Sequence, residues 1–311
     1  LAKDKTEKQQ IKQQQQIITD RSLYKFDFVG KRRIWFIVST IIIIAGIVLI
    51  FVRGFNFGID FLGGNLMEIK FKQNVSVTEL RKVMGDIGYG SAILQSTAPD
   101  QYIIRTVPLD IKEKTKILDN LDQKIGIVRP LMQDRNVAAG FSSQIIKNAL
   151  IAVAISIVGI LIYIWIRFEV RFAVVAIIEL IHDLLILLGF YAITYREFNS
   201  TSIAVILTIL GYSLSDTIVV FDRIREEIRL TKKDSFYDIV NYSENKTLAR
   251  SLGTTATTLF PVLILLIIGN QTLKDFAFGL FVGIISGNYS SLFIGSPLLV
   301  VWNNKFPKYK K

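Results

Sequence analysis

Six stretches of this chain are apolar for about as long as a helix needs to cross a bilayer, roughly 20 residues for a ~30 Å hydrocarbon core. They cover 34–52, 146–166, 172–194, 202–221, 250–268 and 276–302. The expected fold class is therefore an α-helical polytopic membrane protein with six transmembrane helices. Composition agrees: 51% of the 311 residues are hydrophobic, too many for an ordinary soluble protein. Cysteine is absent, which excludes disulfides and thiolate metal sites. His182 is the single histidine, so a multi-histidine zinc site is excluded and a Ser/His/Asp triad is disfavoured. No GxxxxGK[ST] segment occurs, which argues against a P-loop ATPase.

Charge sets the expected orientation. With six spans, twenty-two Lys and Arg fall on one side of the bilayer and only Arg196 and Lys274 on the short loops opposite. Positive residues mark the cytoplasmic side, so both termini are expected there. The net charge of +11 is then a property of cytoplasmic loops rather than a sign of nucleic acid. The expected division is a cytoplasmic tail at 1–33, a first span at 34–52, a periplasmic domain at 53–145, a five-helix membrane domain at 146–302 and a cytoplasmic tail at 303–311. The first ~20 residues are glutamine- and lysine-rich and predict a mobile tail. No cleavable signal peptide is evident.

The periplasmic segment changes period. Alternation at 64–72, 91–96, 101–106 and 127–134 predicts strands; helical spacing at 77–88 and 110–126 predicts helices. The order β-α-β-β-α-β is that of a ferredoxin-like α+β domain. It serves either as a structural cap or as a surface touching an emerging polypeptide.

Ionisable groups inside the apolar runs are the functional candidates, because charge in hydrocarbon is costly. Asp216 lies within the fourth run, with the hydroxyls of Tyr212 and Ser213 one turn back on the same face. It is either a proton site or a buried acid bonded to a neighbouring helix. Glu179, His182 and Asp183 share a face of the third run. They form either a proton relay, since histidine titrates near neutrality, or a hydrogen-bonded contact between helices. In the sixth run Gly279, Gly283, Gly287, Ser291 and Gly295 recur every four residues, a stripe that permits close helix packing. Asn288 lies beside it, placed to bond across helices. The charged segment 222–234 predicts a solvated helix at the membrane face.

Five segments together resemble one family: FNFGIDFLGGNLMEIKF at 55–71, IHDLLILLGFYAI at 181–193, IAVILTILGYSLSDTIVVFDRIREE at 203–227, NKTLARSLGTTATTLFPVLILLIIG at 245–269 and FAFGLFVGIISGNYSSLFIGSPLL at 276–299. The chain resembles the SecF family of bacterial protein translocase subunits, within the resistance-nodulation-division exporter superfamily. What the resemblance implies is a proton-driven accessory subunit of protein export, not an enzyme, with no cofactor beyond the proton gradient. It implies that Arg250, otherwise an interface arginine reaching to the headgroups, works with Asp216. Implied partners are SecD, the SecYEG translocon, YajC and YidC, the translocating unfolded polypeptide and membrane lipid. The location implied is the bacterial inner membrane. Leu62, Ser215 and Pro261 depart from the family pattern, and Pro261 is expected to interrupt the fifth span. Two alternatives stay open: half of a proton-driven small-molecule exporter, and a non-catalytic scaffold of the translocon.

Overall fold

The computed structural model describes residues 26–231 and 234–309, so the expected mobile tail lies outside the described residues. Helix α1 (Arg32–Arg53) leads into a short strand β1 (Asn56–Phe57) and a single turn α2 (Ile59–Leu62). The sheet domain follows: β2 (Gly64–Phe71), α3 (Val77–Asp86), β3 (Ile93–Ala98), β4 (Gln101–Thr106), α4 (Ile111–Lys124) and β5 (Ile127–Val137). The chain then returns through α5 (Ala139–Arg167), α6 (Val170–Thr194), strand β6 (Glu197–Phe198), α7 (Ser200–Leu230), α8 (Phe236–Ile268) and α9 (Gln271–Ser290). A π-helical turn (Ser291–Gly295) joins α9 to α10 (Ser296–Lys305).

The four long strands form one sheet in the order β3-β4-β2-β5, every neighbouring pair antiparallel. Met67, Ile69 and Phe71 of β2, with Tyr102 and Ile104 of β4, meet Leu80 and Met84 of α3 and Ile117 and Leu121 of α4. Side chains alternate along a strand, so Leu66 and Ile103 point the other way. They pack on Ile59 and Val137. Both faces of the central strands are therefore covered. Gly63 and Gly64 make the switch from α2 into β2, at φ 74° and 134°, where a side chain is strained. A Cβ on Gly64 would also run into the carbonyl oxygen of Thr106.

All six apolar runs lie in helices, and each helix is longer than its run. The polar ends continue because they find their own partners. Beyond Phe221, α7 is carried on by ion pairs of Arg223 with Glu226 (2.7 Å) and Glu227, three and four residues on. Residues 222–230 continue α7, with Glu226, Arg229 and Leu230 exposed as a solvated helix at the membrane face would have them but Ile224 and Glu227 buried. Ser235 caps α8 by accepting from the Asp238 amide at 3.1 Å, so Arg250 stands in mid-helix instead of opening the span. Pro261 does not end α8; it removes one ladder bond and the helix runs on to Ile268. Helices α6 and α9 are the most buried, and α1 and α5 lie at the periphery. Gly46 of α1 meets Gly189 of α6 so closely that a Cβ on Gly46 would sit 2.7 Å from the Gly189 Cα.

Residues 303–309 are pinned to the α5–α6 turn. Asn303 Oδ1 accepts from the amides of Lys308 and Tyr309, both at 3.0 Å. The Lys308 ammonium (2.5 Å) and the Tyr309 hydroxyl (3.0 Å) both donate to Glu169 Oε2. The Lys308 hydrogen bond is the main reason the Glu169 carboxyl is held below its usual range. A lowered carboxylate stabilises docking above that range and loses its effect as pH falls through it. Hydrogen exchange in 303–309 is therefore expected to be slow at neutral pH. Below about pH 4 it should accelerate beyond the intrinsic pH dependence of exchange. Lys308→Met should show fast exchange already at neutral pH; equal exchange in both proteins would exclude the contact as the fastening.

Candidate functional site

Asp216 sits where α7, α8 and α9 converge. Its Oδ2 accepts from the Ser251 hydroxyl, in a short bond, and from the Asn288 amide at 3.2 Å. Asn288 Nδ2 also donates to Ser251 Oγ at 2.7 Å, closing a three-membered polar cluster. Oδ1 receives no hydrogen bond from the described residues, and the side chain is partly exposed. The carboxyl is thus held by one oxygen and open at the other.

Arg250 does not form an ion pair within 4.0 Å with any described residue, although its charge is felt at Asp216. The reason is rotation along α8. Successive residues turn by about 100°, so buried Ser251 faces the cluster while exposed Arg250 faces outward. The face around Asp216 is unusual for a membrane helix. Gly211 and Ser215 of α7 and Gly253, Thr254 and Thr257 of α8 are all exposed, and a Cβ on Gly211 or Gly253 would meet open space. The side chains expected beside Asp216 point elsewhere. Tyr212 donates to Thr255 at 3.3 Å, and Ser213 donates to Asp183 Oδ2 at 2.6 Å.

A second cluster lies deeper. Asp183 is buried and collects Ser213 and Ser290 (2.8 Å) on Oδ2, with Ser286 (2.7 Å) and His182 Nδ1 (3.1 Å) on Oδ1. The other ring nitrogen of His182 reaches Ser39 Oγ of α1 at 3.0 Å. Glu179 does not join them. Its carboxyl is fully buried and meets no hydrogen-bond geometry with any described residue, facing the π-helical turn, where a Cβ on Gly295 would collide with it. Glu244 of α8 is buried in the same way and faces Glu179 electrostatically. The sequence reading missed Glu244. Its signal was spacing: Glu244, Thr247, Ser251 and Thr255 are all buried and recur at three and four, one inward polar face that crosses the end of the apolar run. Along the small-residue stripe, Gly279 faces Tyr191, Gly283 faces Ile209, and Gly287 faces Ser213 at 3.0 Å from a built Cβ. Ser291 shares a 3.0 Å hydrogen bond with Thr217. The stripe is the surface on which α6 and α7 meet α9.

The sheet domain meets the bundle through buried charge. Arg105 of β4 pairs with Glu197 at 2.7 Å and donates to Asn56 and Gln95, both at 2.9 Å. Asp60 pairs with Arg135 at 2.6 Å and accepts from the Ser200 amide at the start of α7 at 2.9 Å. The parallel strands β1 and β6 lie at this joint.

Residues 115–305 match the family model described as protein export membrane protein SecD/SecF, C-terminal, and residues 48–75 match the SecD/SecF GG motif. The chain is 40% identical over 284 residues to the protein translocase subunit SecF of Calditerrivibrio nitroreducens, covering 88% of this chain and 92% of that one. It is 35% identical over 297 residues to SecF of Rickettsia bellii, covering 92% and 95%. A solved structure of SecDF from Thermus, described as a translocon-associated membrane protein, superposes with a TM-score of 0.84 at 33% identity. A SecDF structure in a super-membrane-facing form gives 0.66 at 32% identity. Each alignment covers 90% of this chain but 39% of the SecDF chain.

Proposed function

Because the chain belongs to the SecF family of protein translocase subunits, we propose that it is the six-helix half of a proton-driven machine that assists late steps of protein export. It is a multi-pass protein of the bacterial inner membrane and acts as a translocase subunit, not an enzyme. In this reading SecD supplies the other half, and SecYEG, with YajC and YidC, stands beside them. The termini lie in the cytoplasm and the sheet domain outside, where it meets the unfolded chain. The proton gradient is the energy source, without a cofactor: one charge crossing 100 mV is worth about 2.3 kcal/mol.

The observation that carries the proposal is the half-open setting of Asp216. Ser251 and Asn288 hold one oxygen, the other accepts no hydrogen bond from the described residues, and the surrounding face is made of exposed small and hydroxyl residues. Such residues let another helix come close. A partner helix laid on Gly211 and Gly253 would close the site and exclude lipid from it. Protonation of Asp216 then changes its attraction to Arg250 across the open side. It thereby biases how α7 and α8 pack, and the sheet domain follows through the Ser200–Asp60 contact.

The test is Arg250→Met in the intact complex with SecD, read by copurification, proton flux and export into membrane vesicles. Assembly should be retained, because Arg250 is exposed and unpaired among the described residues. The proton-dependent part of export should fall at least several-fold. Normal flux and normal export would overturn the coupling; loss of SecD with the variant would favour a scaffold.

A further inference from the structure

We propose that His182 and Asp183 form a second proton-holding site, separate from Asp216, whose occupancy sets the direction of the hydroxyl chain that fastens α1 to the core.

The argument is a count of hydrogens along a chain of bonds. Tyr289 donates its only hydroxyl hydrogen to the carbonyl of Trp35 at 3.0 Å. The Ser39 hydroxyl, 3.2 Å from the Tyr289 oxygen, must therefore donate to it. Ser39 then has no hydrogen left for His182, so the contact of Nε2 with Ser39 Oγ at 3.0 Å requires a hydrogen on Nε2. The Nδ1···Asp183 Oδ1 contact at 3.1 Å needs a hydrogen of its own. It resides on the ring or on the carboxyl, and the count is the same either way. All these bonds are made at once only if the pair carries one proton more than a neutral imidazole beside an ionised carboxylate.

Removing that proton has a defined consequence. The remaining hydrogen stays on Nδ1, because Asp183 is fixed as an acceptor by Ser213, Ser286 and Ser290. Nε2 becomes bare, Ser39 turns to donate to it, and Tyr289 loses its donor. The polar contacts between α1 and the core thus differ between the two states. Helix α1 runs directly into β1 and the sheet domain, so the site has a direct route to the domain. His182 and Ser39 also line a groove of about 400 Å³ with Phe36, Ile181 and Leu298, which opens the ring toward the outside of the bundle.

Among the described residues, Glu179 on α6 faces Asp183, Tyr289 on α9 stacks on the His182 ring, and Asp216 on α7 and Glu244 on α8 face Glu179 in turn. Helix α1 carries its ionisable groups, Arg32, Arg33 and Arg53, only at its ends. The exchange therefore occurs among acids, and among the described residues no Lys or Arg forms an ion pair with Asp183.

His182 is the only histidine, so one labelled ring reports the site alone. The experiment is ¹⁵N NMR of the histidine-labelled full chain in lipid nanodiscs, purified on a histidine-free tag, between pH 5 and 10. The expected result is a change from a protonated Nε2 to a bare Nε2 with Nδ1 protonated, a form that only the unloaded pair gives. In Tyr289→Phe, Ser39 is free to donate to Nε2, and the bare form should rise about 3- to 10-fold at a given pH. A single tautomer at every pH, or a ratio unmoved by Tyr289→Phe, would overturn the proposal. In Asp216→Asn the change should persist even where export is lost, which separates this site from the export reading; its disappearance there would make the two acids one site and refute a separate one.

Discussion

Asp216→Asn is expected to leave the chain folded, membrane-inserted and bound to SecD, and to remove the proton-dependent part of export. The amide oxygen of asparagine can accept from both Ser251 and Asn288, as Oδ2 does now, so the three-membered cluster survives. What is lost is the ability to exchange a proton. The gradient supplies about 2.3 kcal/mol per charge per 100 mV, or roughly 50-fold in an equilibrium, which bounds the effect from above. A drop of about ten-fold or more in gradient-driven export, with copurification unchanged, is the expected pattern. Asp216→Ala provides the contrast. It also strips Ser251 and Asn288 of their acceptor, at about 1–3 kcal/mol, so it should lower thermal stability where the asparagine variant does not. If the asparagine variant exports at the normal rate, Asp216 is a structural acid. If it fails to assemble, the scaffold reading gains.

The contrast also marks what was legible in the sequence. The apolar runs predicted where membrane helices lie, because length and hydropathy are local properties. Their ends were not legible: Arg223 with Glu227 extends α7, and Ser235 starts α8 early, through short-range pairings that hydropathy ignores. Asp216 stood out as a carboxylate among apolar residues, but its partners did not. Ser213 shares its face in sequence terms, yet Asp183 on another helix takes the hydroxyl. Arg250 and Ser251 are adjacent, and only the rotation of α8 against α9 decides that the serine turns inward. Strands β1 and β6 are two residues each and pair Asn56 with Glu197 and Phe57 with Phe198, so far apart in the chain that no local pattern announces them. The joint they form is where the last large effect is expected.

Arg105→Met should loosen the sheet domain from the membrane helices by about 3–5 kcal/mol, the usual cost of leaving one member of a buried ion pair alone. Both side chains are almost inaccessible, at 4% and 7% exposure, so water cannot replace the lost cation at Glu197. The two-residue pairing of β1 with β6 is too short to hold the joint by itself. Hydrogen exchange at 56–57 and 197–198 should rise sharply while α6 and α9 stay protected. Replacing both residues, Arg105→Met with Glu197→Met, should bring the joint back to within about 1 kcal/mol of the parent. The reason is visible in Glu197 itself: burial pushes its carboxyl above the usual range even with Arg105 at 2.7 Å, so desolvation outweighs the attraction. Removing Arg105 alone raises it further. A carboxyl raised in the folded state binds its proton more tightly there, so the penalty is complete above that raised value and fades as pH falls. Below about pH 4, where the unfolded carboxyl is also protonated, the single variant should match Glu197→Gln. A single variant as tight as the parent at neutral pH would show that the ion pair does not hold the joint.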